Sequence, residues 1–117
     1  MKSLKEAISE RNIIIKGGDA LSLSGFTQVP NAVLKSSEIS SGAKLVYALL
    51  LSYAWHNDFF FPGQERLASD IGISRQSVNT HVKELELKGF VRIKRLGQGR
   101  ANLYEVNLKA KVLGKRR

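Results

Sequence analysis

The chain contains no cysteine, which excludes a disulfide framework and a thiolate-ligated zinc site and fits a reducing cytoplasm. Its two histidines, His56 and His81, lie apart, with no second histidine or paired carboxylate at ligand spacing, so no metal and no cofactor is expected. Glycine is not arranged for phosphate chemistry. Neither Gly17-Gly18 nor Gly97-x-Gly99 is followed by Gly-Lys-Ser/Thr or set between a strand and a helix, so neither a phosphate-binding loop nor a dinucleotide fingerprint is present. Serines are plentiful but none has a base partner in the sequence, and an enzyme is not expected. Met1 to Arg11 alternates charges and lacks the apolar core of a signal peptide. The longest apolar segment, Ala43 to Trp55, is thirteen residues broken only by Lys44 and Ser52, well short of the roughly 20 that span a bilayer. No segment pairs a basic face with a bulky apolar one, so a membrane partner is not expected, and no exposed aromatic platform for RNA bases is evident.

Acidic residues are also scarce, and unevenly so. Ten Asp and Glu stand against nineteen Lys and Arg, for a formal charge of +9 over 117 residues. Residues 1–61 hold six basic and five acidic side chains; residues 62–117 hold thirteen and five. A positive charge concentrated on one half of a single small domain is the footprint of a polyanionic partner.

That basic half opens with QERLASDIGISRQSVNTHVKELELKGF, residues 64–90. Leu67, Ala68 and Ile71 fall at the spacing of one buried helical face, behind Pro62 as a chain-direction setter. Gly72 permits a tight turn, and Ser74 is a good N-cap for a second helix. At 100° per residue Val78, Val82 and Leu85 form a narrow inward stripe, which turns Gln76, Asn79, Thr80 and Lys83 outward. The outward face thus carries amide, hydroxyl and cationic groups, with Arg75, Gln76 and Ser77 in its first turn.

After Gly89 the period becomes alternating, with Val91 and Ile93 on one side and Arg92 and Lys94 on the other, continuing to Arg95. Leu96 to Ala101 supplies two glycines for a hairpin turn with Arg100 at its tip. Asn102 to Asn107 returns with Tyr104 and Val106 facing in. Upstream, LKEAISERNIII (residues 4–15) reads as a short amphipathic helix, followed by a Gly- and Ser-rich linker to Gly25. This leader is either frayed or an arm that packs on a neighbouring subunit. Phe26 to Val29 reads as extended, and Pro30 and Asn31 start a short helix through Leu34. The helix at 43–55, capped by Ser40 or Ser41, is apolar on all sides and must be covered on all sides. Asp58 to Phe61 reads as a short aromatic strand, its phenylalanines more at home in a core than stacked on bases. Lys109 to Arg117 carries five basic residues and no acidic one; it is either a sliding arm on a polyanion's backbone or the cut edge of a longer protein.

The stretch from Leu67 to the closing Lys88-Gly89-Phe90 resembles the winged helix-turn-helix family of bacterial, plasmid and phage DNA-binding proteins. FTQVPNAVLKSSEISSGAKLVYALLLSYAW (residues 26–55) is similar to a narrower set, the plasmid replication initiators, phage replication proteins and transcription regulators built on that domain. The implied fold is α+β and mainly α: a three-helix core with a short strand and a C-terminal β-hairpin wing, plus an N-terminal helical arm. Residues 1–25 are expected to be the arm and linker, 26–108 the winged domain and 109–117 a basic tail.

The resemblance implies double-stranded DNA as partner, with the second helix in the major groove and the wing on the backbone or minor groove. Gln76, Ser77, Asn79 and Thr80 are then the expected base readers. Ser74, Arg75, His81, Lys83, Arg92, Lys94, Arg95 and Arg100 are the expected backbone contacts. A homodimer is expected through the N-terminal arm, the helix at 43–55, or both. The implied location is the bacterial cytoplasm, on nucleoid or plasmid, with a role in replication, maintenance or transcription. The competing reading is a winged helix turned into a protein-interaction module, docking through the helix at 43–55 with only nonspecific DNA affinity.

Overall fold

The helix richest in apolar residues is the hub. In the computed structural model, which describes residues 12–19, 25–55, 63–95, 97, 99 and 102–108, Ser41–Trp55 forms a helix that packs against two others and the sheet. In chain order the described elements are α1 (Asn31–Leu34), α2 (Ser41–Trp55), α3 (Gln64–Ile71), α4 (Arg75–Leu87), β1 (Val91–Lys94) and β2 (Leu103–Val106). The architecture is therefore mainly helical with a small antiparallel sheet.

α1 is a single turn following Pro30, whose missing amide costs nothing there. It seats Val33 in the core. α2 starts at Ser40, whose Oγ accepts the Ala43 amide at 3.2 Å, as a serine cap should. Ala43, Val46, Tyr47, Leu50, Leu51 and Tyr53 of α2 are buried, joined by Leu67 and Ala68 of α3, by Val78, Val82 and Leu85 of α4, and by Phe90 and Val91. Tyr47 meets the Phe90 ring edge to face, with centroids 6.3 Å apart.

α3 ends where Gly72 turns left-handed (φ 87°), so that both the Gly72 and Ile73 amides reach the Ala68 carbonyl, at 2.8 and 3.1 Å. Any side chain at Gly72 would have to adopt that strained conformation. Beyond α4, Gly89 (φ 85°) repeats the device, and the Phe90 amide closes on the Leu85 carbonyl at 2.9 Å. The wing pairs Val91 with Val106, Arg92 with Glu105, Ile93 with Tyr104 and Lys94 with Leu103, as the alternation requires. Asn107 fastens its base: the side chain donates to the Gly89 carbonyl at 3.0 Å, and its own carbonyl accepts the Tyr47 hydroxyl at 2.7 Å.

Three expectations need correction or fall elsewhere. The helix expected over 4–15 does not extend over 12–15, which is irregular and exposed; residues 4–11 lie outside the described residues. Three consecutive β-branched isoleucines followed by Gly17 and Gly18, both at positive φ, are poor helix material. The strand expected at 58–61 also lies outside the described residues. Coverage of α2 is incomplete, since Leu45 and Trp55 are 56% and 58% exposed. Beside Trp55, with Gly25 to Gln28, lies an open hollow of about 290 Å³. Among the described residues no helix is long and apolar enough to cross a membrane.

Candidate nucleic-acid interface

α4 is oriented by contacts on three of its sides, and the fourth faces out. Its start is fixed by Ser74, whose Oγ accepts the Ser77 amide at 3.0 Å and donates to the Ser77 hydroxyl at 2.9 Å. Val78, Val82 and Leu85 bind the inner side to the core.

On one flank, Asn79 accepts a hydrogen bond from Gln64 of α3, Nε2 to Oδ1 at 3.2 Å, and is half-buried. Asn79 therefore sits between the two helices rather than squarely on the outer face. The reason is angular: it lies about a quarter-turn from the buried stripe, where α3 is the neighbour.

On the other flank stand His81 and Glu84. The Ser40 amide and hydroxyl donate to Glu84 at 2.6 and 2.8 Å, and His81 Nδ1 lies 3.3 Å from the Ser40 hydroxyl and 3.5 Å from Glu84. Burial pushes the Glu84 pKa up, but the Ser40 amide, the Ser40 hydroxyl and His81 together outweigh it and hold it below the usual value. Nε2 of the same imidazole is packed against Gly42, where a Cβ would collide with the ring. His81, expected on the DNA backbone, is thus half-buried in the joint between α4 and the start of α2. Ser40 does acquire a histidine neighbour that its sequence position does not reveal. Its oxygen, however, caps α2 and its proton goes to Glu84, so the group is built as a joint between helices.

What remains outward is Gln76, Thr80 and Lys83, all exposed, with Leu87 continuing the line at 83% exposure. The Thr80 hydroxyl donates back to the Gln76 carbonyl at 3.1 Å. Its methyl and both oxygen lone pairs are left for a ligand. Among the described residues nothing bonds the Gln76 amide or the Lys83 ammonium. Ser77 is half-buried, with its hydroxyl taken up by the Ser74 cap.

Three of the six expected backbone cations already face a carboxylate. Arg75 lies 3.8 Å from Glu65, Lys94 3.3 Å from Glu105, and Arg95 grips Glu86 at 3.1 and 3.3 Å. The Glu86 hydrogen bonds and charge raise the Arg95 pKa above its already high value. Among the described residues Lys83 and Arg92 have no ion pair. Arg100 lies outside the described residues. The outward Gln76, Thr80 and Lys83 of α4 and the exposed Arg92, Lys94 and Arg95 that follow it can donate and accept hydrogen bonds and neutralise anionic charge. Among the described residues no three His, Cys, Asp or Glu side chains gather as a metal site would require.

Ser40 was expected only as a possible cap of α2, and Gln64, Glu84 and Glu86 were not singled out from the sequence. Only Glu86 carried a legible signal, as an acid on the helix just before a run of basic residues.

A family model described as a helix-turn-helix domain matches residues 37–91, from the turn before α2 through the first residue of β1. Two solved structures share the fold. One is a Rep–DNA complex, 19% identical, covering 92% of this chain and 82% of the other with a TM-score of 0.53. The second is the N-terminal domain of a DNA-binding protein, also 19% identical over 92% and 82% of the two chains, with a TM-score of 0.54. No curated protein matches the chain.

Proposed function

From the premise that residues 37–91 are a helix-turn-helix domain, completed by a two-stranded wing, we propose that this protein reads a specific double-stranded DNA sequence. α4 enters the major groove and the wing lies along the backbone or in the adjoining minor groove. The observation that carries the reading is the outer line of α4. Gln76, Thr80 and Lys83 face out, the first two in the helix's opening turns, where a recognition helix meets base edges. Gln76 can pair with adenine through both ends of its amide, Thr80 offers a methyl to thymine, and Lys83 follows with a charge for phosphate or guanine. The excess of base over acid in residues 62–117 supports the same partner. The protein acts by binding, not by catalysis.

Of the two structural neighbours, the Rep–DNA complex supports a role in replication, and the DNA-binding N-terminal domain supports DNA as the partner. A homodimer is supported by the uncovered face of α2, where Leu45 and Trp55 stay open to solvent.

That same open face is the one observation favouring the second reading, a protein-interaction module. Selection from a random duplex pool at near-physiological salt decides between them. Enrichment of a motif supports sequence reading, with inverted half-sites indicating a two-fold dimer. Binding without enrichment favours the interaction module.

A further inference from the structure

Asn79 is the expected base reader whose side chain is held by a side chain of a different helix, and we infer that Gln64 is the positioning residue that selects which end of the Asn79 amide meets DNA. The inference rests on the sequence-reading function proposed above.

An asparagine amide has two unlike ends, an oxygen that only accepts and an amino group that only donates. Gln64, the first residue of α3, donates from Nε2 to Asn79 Oδ1 at 3.2 Å, across the Gly72 turn. The two backbones that bring these side chains together are firmly placed. Gly72 and Ile73 share the Ala68 carbonyl, the Ser74 cap fixes the start of α4, and Leu67 and Val78 are fully buried on the facing sides of the two helices. With Oδ1 turned to Gln64, the amino group is the end left for a base edge. It calls for an acceptor, which in the major groove means guanine O6 or N7, or thymine O4.

Replacing Gln64 with glutamate tests this effect, because it keeps the side chain's length and shape while exchanging the donor for an acceptor that carries a charge. A carboxylate accepts, so Asn79 must turn its amino group toward it and present Oδ1 outward. That oxygen calls for an amino donor, cytosine N4 or adenine N6. A carboxylate in the first turn of α3 suits the helix dipole, as Glu65 next to it already does, so the fold is retained. A Gln64 that merely cross-links two helices would keep its bond to Asn79 in this variant and leave base preference unchanged.

The test is duplex-pool selection with the full chain and with Asn79→Ala, Gln64→Ala and Gln64→Glu, followed by competition titrations on the enriched duplexes. Asn79→Ala should flatten preference at one base pair, where the unaltered chain favours guanine or thymine. Gln64→Ala should weaken that preference by roughly five- to tenfold, the loss of about one hydrogen bond's discrimination. Gln64→Glu should move it to cytosine or adenine. The added charge will weaken binding to every duplex, but repulsion of that kind does not change the base favoured at one position. Retention of the original base by Gln64→Glu overturns the inference and leaves the sequence-reading function intact, as does an Asn79→Ala variant whose motif is unaltered. If the unaltered chain enriches no motif, the proposed function falls and this inference with it.

Discussion

Arg95 closes a two-point ion pair on Glu86, Nη1 to Oε2 at 3.1 Å and Nη2 to Oε1 at 3.3 Å, tying the strand that follows α4 back to that helix's last turn. A DNA phosphate reaching the guanidinium must compete with a carboxylate of matching geometry. Replacing Glu86 with glutamine should therefore strengthen binding to duplexes of any sequence and steepen the dependence of log K on log salt by up to about 0.9, the increment for one phosphate neutralised. In an Arg95→Ala background the same change should have little effect. Titrations of single and double variants at several salt concentrations check this, and a Glu86→Gln variant that binds more weakly than the parent would contradict it.

Gln76 and Arg92 separate reading from holding. Gln76→Ala should cost about 1–3 kcal/mol on the preferred duplex and relax preference at one base pair. Arg92, on the wing's outer face, should when changed to alanine weaken all duplexes alike and lower the salt slope by about one. Equal losses on preferred and random duplexes for Gln76→Ala would show that the register of α4 in the groove is other than described.

Gly42 lies so close to the His81 ring that an added methyl must displace the imidazole from Ser40 and Glu84. Gly42→Ala should destabilise the fold by roughly 1–3 kcal/mol, the usual cost of overpacking. The loss should be largely recovered when His81→Ala is added, since the obstruction is then gone. Urea titrations of the two single variants and the double give the answer.

Glu84 couples the same joint to pH. Its pKa in the folded chain is lowered, so the unfolded chain binds more protons as the medium is acidified through the carboxylate range. The stability it contributes is complete above the unfolded value and lost as pH falls through the folded one. Glu84→Gln should lower stability at neutral pH and flatten the acid limb of a plot of urea midpoint against pH. An unchanged acid limb in this variant would exclude Glu84 as a cause.

Tyr47 should mark the alkaline side. Burial pushes its pKa up to about 12, so the folded chain keeps its phenolic proton where the unfolded chain, near 10, has lost it. Stability is full below about 10 and declines as pH rises toward 12. Tyr47→Phe should cost about 1 kcal/mol at neutral pH, through the lost bond to Asn107, and remove that part of the alkaline decline. Phenolate absorbance followed with pH reports the shift directly.

Local chemistry made much of this fold readable. The Ser74 cap, the Gly72 turn, the inward run of Val78, Val82 and Leu85 and the alternation of Val91 and Ile93 each depend on neighbours within a few residues, and each is realised. The flanks of α4 were not readable in that way. Whether Asn79 and His81 face solvent depends on where α3 and α2 lie, and the bonds that settle it join Ser40 to Glu84 and Gln64 to Asn79 across the fold. A helical wheel separates inner from outer but says nothing of what stands to left and right. The segment 12–15 misled for a related reason: reading it as the end of an amphipathic helix gave no weight to the β-branching of Ile13 to Ile15 or to the glycines behind them.

Gln76, Thr80 and Lys83 contribute almost nothing to holding the chain together, because the core, the cap and the two flanking joints are made by other residues of the same helix. Their side chains can be exchanged while the scaffold beneath stays in place. A library randomised at those three positions would let one small, cysteine-free chain be retargeted, with new addresses written on a surface that the fold does not need.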